Sequence, residues 1–389
     1  MTADQFDSTR SWIVVASAFL SMFTVFGVVY SFGEFFGPMA DEFGTDRSET
    51  AFFFSITTFA YFVIGMGTGR IADRMGPRPV VLAGAVAMFA GLMLTAEVGS
   101  LELGYATYGL GVGFGVACCY VPTVAAVGGW FERRRTLAIG LAVAGIGVGT
   151  LVVVPVIELV IDEHGWRNAY RGLAIAAGIL LLVAAIGAHR PPGGSDQPMP
   201  IRQAVRGRPD FWLLYASTVF LSAALFMPFV FMADYIDTTG GSGSAAVLLG
   251  LIGMASVAGR LGFGAVAVRF GLLRLYRGAF VALSLSFVLW IVADTSYPIL
   301  IAFALTLGVA YGGFISLSPA IIADRFGTVG MGGVLGALYT AAGVGGLLGP
   351  PTLGAIIDRA GHTTAQWTAL SSGLVSVAFL MAIRTPQSH

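Results

Sequence analysis

Gly69-Arg70-Ile71-Ala72-Asp73-Arg74-Met75-Gly76 closes the second long apolar run of this chain, and Gly264-Ala265-Val266-Ala267-Val268-Arg269-Phe270-Gly271 closes the eighth. Glycine, arginine and glycine fall at the same offsets in both; only the first copy carries an aspartate. Such a pair, at matching places in two sets of six runs, points to an internal duplication. A helix needs about 20 apolar residues to cross the hydrocarbon core. Runs of that kind lie near 12–36, 51–70, 79–96, 103–127, 136–161 and 168–188, and again near 211–236, 245–268, 276–293, 297–322, 331–357 and 366–383. The expected fold is an all-α membrane protein of twelve transmembrane helices in two pseudo-symmetric six-helix bundles, 1–188 and 209–389. The polar stretch 189–208, with its ProProGlyGly and four arginines, is the expected linker.

Composition agrees. The chain is 56% hydrophobic and 11% charged, with a mean hydropathy of +0.84, whereas a soluble domain carries about 25% charged residues. The net charge is zero, so nothing favours nucleic acid as a partner. All 21 basic residues are arginine, which removes lysine from every mechanism. Sixteen arginines fall in segments on the side of the chain ends. Four (Arg47, Arg167, Arg171, Arg359) fall on the other side, and Arg260 lies within a span. This bias in short loops places both termini in the cytoplasm and the protein in the cell membrane as a multi-pass protein. No cleavable signal peptide is expected, because the first apolar run is too long and lacks a small-residue cleavage pattern.

Catalytic and metal chemistry find little material. The only cysteines, Cys118 and Cys119, are adjacent in an apolar segment, too few for a metal site and unsuited to a disulfide framework. His164, His189, His362 and His389 lie in loops or at the end. No enzyme, cofactor or metal is expected, and no obligatory protein partner. Glycines crowd the fifth span (Gly140, Gly145, Gly147, Gly149) and the eleventh (Gly343, Gly345, Gly346, Gly349). They allow close helix approach, and Pro155 and Pro350-Pro351 allow bending there.

Arg260 is the only ionisable residue in 245–268. A charge at membrane depth is costly and faces a cavity or a partner. A guanidinium also offers a planar fork of donors that fits a carboxylate. The span centre is near Val257, so Arg260 lies about 5 Å from the midplane, at ~1.5 Å per residue. Ser256 is one turn away on the same face.

At Gly69 to Arg78 the chain resembles the major facilitator superfamily. In that family the aspartate, here Asp73, latches the halves on the cytoplasmic side, and the arginines, here Arg74 and Arg78, join the same cluster. Trp130-Phe131-Glu132-Arg133-Arg134-Arg135-Thr136-Leu137-Ala138, continuing through Gly140-Leu141-Ala142 to Ala144-Gly145, closely resembles the monocarboxylate-transporter family. Gly165-Trp166-Arg167, Arg190-Pro191, Leu348-Gly349-Pro350-Pro351 and the spacing of Asp7 and Trp12 agree. The resemblance implies alternating-access transport of small monocarboxylates such as lactate and pyruvate, often with a proton, and makes Arg260 the substrate arginine. The family's aspartate four residues earlier is Ser256 here, and its first-span lysine is Tyr30.

Tyr30, Tyr120 and Tyr339 are further candidate substrate ligands. Glu34, with Glu158 and Asp234 as other acids near span ends, is the candidate proton carrier. Proton symport, uniport and anion exchange remain open at this level. The competing reading is a major facilitator exporter of drugs or other amphiphiles, which would show an aromatic-rich cavity and tolerate loss of Arg260.

Overall fold

The structure, a computed structural model, describes residues 6–192, 207–241, 243–327 and 331–383. The expected linker 189–208 lies largely outside these residues. Every regular element described is helical: α1 (Thr9–Tyr30), α2 (Phe32–Phe43), α3 (Arg47–Met75), α4 (Pro77–Thr95), α5 (Leu101–Trp130), α6 (Arg135–His164), α7 (Trp166–Gly187), α8 (Pro209–Leu225), α9 (Met227–Thr239), α10 (Ala245–Phe270), α11 (Leu272–Ala293), α12 (Tyr297–Phe326) and α13 (Met331–Met381). With α1–α2 and α8–α9 each taken as one span, eleven described helices are long and apolar enough to cross a membrane.

The corners between helices explain the repeated motif. Gly76 ends α3 at φ 88°, ψ 159°, and Gly271 ends α10 at φ 84°, ψ 129°. Residues with a Cβ avoid this region, so both copies need glycine at the turn. The arginine ahead of each glycine stands in the last helical turn, where a cation complements the exposed carbonyls. Gly361 has a similar conformation, φ 81° and ψ 169°, inside α13 and interrupts its helical path there.

Packing repeats along the chain. α1 lies on α6, α3 on α5 and α4 on α7; correspondingly α8 lies on α13, α10 on α12 and α11 on α13. Between the sets, α3 packs on α13, α6 on α10, and α2 on α9. Lipid gives no hydrophobic drive for helices to associate, so close van der Waals contact must do so, and small residues permit it. A Cβ on Gly253 of α10 would lie 2.6 Å from the Gly147 carbonyl oxygen of α6, and one on Gly147 would meet the Gly253 carbonyl. The expected glycine crowding in the fifth run therefore forms a backbone-to-backbone seam. Gly253→Val is expected to lower transport at least tenfold and to destabilise the protein by about 1–3 kcal/mol through overpacking. Gly262→Ala, with nothing within 4 Å of the added carbon, is the control. Equal uptake by the two variants would remove the seam from the mechanism.

Two spans break where hydropathy shows nothing. α1 gives way to α2 at Ser31 (φ −78°, ψ −6°), whose hydroxyl donates to the Val28 carbonyl. α8 gives way to α9 at Phe226 (φ −80°, ψ −9°), just before Pro228, which has no N–H to give the helix. The breaks fall at corresponding places in the first and seventh runs, and at each the backbone N–H still bonds four residues back, Ser31 to Gly27 and Phe226 to Ser222.

Candidate functional site

Arg260 is 5% exposed on α10, at the seam with α6. Its Nη1 donates to the Val143 carbonyl at 2.7 Å, bridging the two sets of helices. Its Nε and Nη2 are buried and have no hydrogen-bond partner. Those two nitrogens form one edge of the guanidinium fork, the edge that grips a carboxylate through two parallel bonds. The guanidinium carbon stands 5.8 Å from the Tyr311 ring centroid. An unpaired donor buried in protein costs about 1–3 kcal/mol, more when charged, so this edge is unfavourable empty and gains from an anion.

Tyrosines surround the arginine. The Tyr30 and Tyr311 hydroxyls lie 2.9 Å apart, joining α1 to α12. Tyr30 stacks on Phe229 of α9 at 4.2 Å. Tyr120 meets Phe26 edge-on at 5.3 Å, and Tyr339 lies 6.0 Å from Phe62. Tyr30, Tyr120 and Tyr311 line one cavity of about 20 Å³; Arg260, Ser256 and Tyr339 stand outside its lining. Ser256 is buried and its hydroxyl donates to the Gly253 carbonyl of its own helix at 2.7 Å. Tyr311 was not singled out by sequence reasoning. It is a mid-span tyrosine among Gly308, Gly312 and Gly313, and only its tertiary position beside Arg260 separates it from other span tyrosines.

Further polar ties between the two sets lie on the face opposite the chain ends. Arg47, at the start of α3, grips Asp234 of α9 through Nε and Nη2, both at 2.8 Å. It also donates to Asp358 of α13 through Nη1 at 3.0 Å and its backbone N–H at 3.1 Å. His362 Nε2 lies 3.0 Å from the same Asp234 carboxylate. Glu158 of α6 accepts from Ser244, the N-cap of α10, at 2.9 and 3.0 Å. Of the three acids considered for proton transfer, Asp234 and Glu158 are thus engaged across the interface. Glu34, on α2, has a buried Oε1 without a partner.

On the chain-end face, ties run within each set. Arg190 donates to the Asp73 carbonyl, and Arg325 pairs with Asp210 at 3.1 Å. Asp73, Arg74 and Arg78 are exposed, and no salt bridge among the described residues joins them to the second set. Here too the two N-terminal motifs meet. The Asp7 carboxylate accepts from the backbone N–H of Glu132, Arg133 and Arg134 at 3.2 to 3.4 Å, and Trp12 packs edge-on against Phe131 at 5.1 Å. Burial would raise the Asp7 carboxyl, but the three N–H donors and the Arg134 charge hold it below the ordinary aspartate value. Cys118 and Cys119 are buried free thiols packed against Gly84. Among the described residues no cluster of His, Cys, Asp or Glu could hold a metal ion.

Arg260 is thus a buried, half-paired arginine where two sets of spans meet. A family model described as Major Facilitator Superfamily matches residues 16–350. "Monocarboxylate transporter 3" of Rattus norvegicus is 30% identical over 400 residues, covering 97% of this chain and 80% of that protein. "MFS transporter asaE" of Aspergillus flavus is 28% identical over 383 residues, covering 96% of this chain and 86% of that one. The chain belongs to the major facilitator superfamily and, within it, to the monocarboxylate-transporter family. A solved structure described as "Crystal Structure of A Bacterial Homolog to Human Lysosomal Transporter, Spinster, in Inward-facing And Unoccupied Conformation" shares the fold, with a TM-score of 0.67 at 14% identity, covering 96% of this chain and 95% of that chain.

Proposed function

We propose that this protein carries small monocarboxylate anions across the cell membrane by alternating access, with Arg260 docking the carboxylate. The observation that carries the reading is the free Nε–Nη2 edge of a buried guanidinium at the meeting of α6 and α10. Twelve spans are part of the proposal; the interruption of α13 at Gly361 supports dividing the last of the eleven long helices in two. The two halves are 1–188 and 209–389, linked by 189–208, with both termini cytoplasmic. The matched packing of α1–α7 and α8–α13, and the arginine bias, support this arrangement.

In this reading the conformer is closed at the outer face by Arg47, Asp234, Asp358 and His362, while the cytoplasmic latch of Asp73, Arg74 and Arg78 is disengaged. A carboxylate entering from the cytoplasm would pair with Arg260, with the Tyr30, Tyr120 and Tyr311 hydroxyls as further donors. Tyr339 and Ser256 are second-rank ligands, recruited only if α13 or the Ser256 rotamer moves. Neutralising the arginine removes the charge that resists closing the low-dielectric interior around the site.

Glu34 is the proposed proton carrier, since its carboxylate is neither solvated at Oε1 nor paired there. Uptake of radiolabelled lactate into proteoliposomes, with and without an imposed pH gradient, tests the coupling. The gradient is expected to raise wild-type uptake severalfold and to have no effect on Glu34→Gln. Gradient-stimulated uptake by Glu34→Gln would exclude this residue, and gradient-independent uptake by the wild type would leave uniport or exchange.

A further inference from the structure

We infer that the carboxylate this protein carries has an aromatic tail, and that Ser222 reads a polar group on that ring; the inference rests on Arg260 docking the carboxylate, as proposed above. The cavity beside the arginine is unlike the rest of the chain. Eight of its thirteen lining residues are phenylalanine or tyrosine, against 12% aromatic residues overall. These rings come from both halves: Phe26 and Tyr30 from α1, Tyr61 from α3, Tyr120 from α5, Tyr311 from α12, with Phe226 at the break after α8.

Two of the four ring pairs within the lining meet edge-on, and two are tilted. Phe26 presents to Tyr120 at 5.3 Å and 89°, and to Tyr61 at 6.0 Å and 80°. Rings so disposed offer edges and faces to another ring, an arrangement that contributes beyond simple area burial. The single methyl of lactate or pyruvate would reach one or two of these walls. At about 20 Å³ the cavity is collapsed in this conformer; an aryl group admitted as it opens would touch walls of both halves at once, so its binding would favour the conformer in which they approach. A neutral amphiphile would use the same walls but leave the Arg260 edge unpaired. An aryl carboxylate satisfies both features together.

Ser222 supplies the second, independent observation. It is fully buried on α8, lines the cavity, and its hydroxyl has no hydrogen-bond partner. Many buried span hydroxyls are satisfied locally: Ser284 donates to the Phe280 carbonyl, Ser318 to Phe314 and Thr218, one turn before Ser222, to Leu214. Ser55 and Thr58 share the unpaired state of Ser222, but of the three only Ser222 lines the cavity. A buried hydroxyl that forgoes this bond is placed to meet a polar group arriving in the cavity. α8 packs on α13 rather than on α10, so Ser222 approaches the ligand from a different helix than Arg260 does.

The test is a binding series on the purified full chain, followed by uptake into proteoliposomes with the same probes. Lactate, phenyllactate and para-hydroxyphenyllactate share the carboxylate and differ only in the tail. Phenyllactate is expected to bind at least tenfold tighter than lactate, about 1.4 kcal/mol, and the para-hydroxyl compound tighter still. Ser222→Ala is expected to erase the difference between the two aryl acids, because a site built to hydrogen-bond a hydroxyl discriminates against the analogue lacking it. Arg260→Ala and Arg260→Gln are expected to weaken all three acids, with ligand-free thermal stability confirming that the variants are folded.

Lactate binding as tightly as phenyllactate, still dependent on Arg260, would overturn the aromatic tail and leave the carboxylate reading standing. Binding of all three acids that ignores Arg260 would overturn the carboxylate reading itself. Para-hydroxyl discrimination that survives Ser222→Ala would overturn the role of Ser222.

Discussion

Arg260→Ala is expected to weaken carboxylate binding roughly a hundredfold and to abolish saturable uptake. The variant loses two charge-assisted hydrogen bonds in a site where Arg260 is only 5% exposed. Removing one member of such a buried charge pair costs about 3 kcal/mol, which corresponds to that factor. The Nη1 bond to the Val143 carbonyl is also lost, but that carbonyl belongs to a helix and is a smaller loss than the ligand's. Arg260→Lys is expected to recover little, because an ammonium is a point donor and cannot reproduce the fork. Uptake of radiolabelled monocarboxylate in proteoliposomes, against protein without ligand gradient, reads both variants. Wild-type transport by Arg260→Ala would refute the docking role and favour the amphiphile exporter.

The second large effect is expected at Asp234. Asp234→Asn removes the charge that holds two Arg47 nitrogens at 2.8 Å and faces His362 at 3.0 Å. Breaking a fully buried pair costs about 3–5 kcal/mol; the Arg47 side chain is 28% exposed, so screening reduces the expected cost to about 2 kcal/mol. That amounts to roughly a thirtyfold shift in the balance between conformers. The affected contacts join α3 to α9 and α13 only on the outer face, so the shift is toward a conformer open there. Spin labels at the exposed positions Asp41 and Asp237 should report a longer distance population in the variant. An unchanged distance distribution would show that the Arg47 cluster does not hold this face closed.

Glu34 and Arg47 show where the sequence was and was not legible. Glu34 was picked out because it follows Tyr30 by one turn, and the structure gives it a buried oxygen without a partner. Arg47 carried only a place in the charge count; the Asp46 capping box beside it, at the start of α3, emerges from the structure. Its partners, Asp234 and Asp358, come from helices far along the chain, and no spacing links them. Tyr30 was reached through the motif counted from Trp12, yet its hydroxyl partner Tyr311 was not. The breaks at Ser31 and Phe226 were equally silent, since apolar composition continues through both.

Local sequence was enough for the membrane class, the runs that make the helices, the corner glycines Gly76 and Gly271, and the one arginine set at membrane depth. Each follows from local chemistry: transfer of a segment into lipid depends on that segment's own side chains, and a positive φ on that residue alone. Tertiary packing alone leaves one edge of Arg260 free, surrounds it with aromatic rings, leaves Ser222 without a partner and brings Arg47 to Asp234 and Asp358. Those properties depend on which helix surfaces meet and how closely, and in lipid that is fixed by shape and small-residue contact between distant segments rather than by hydropathy.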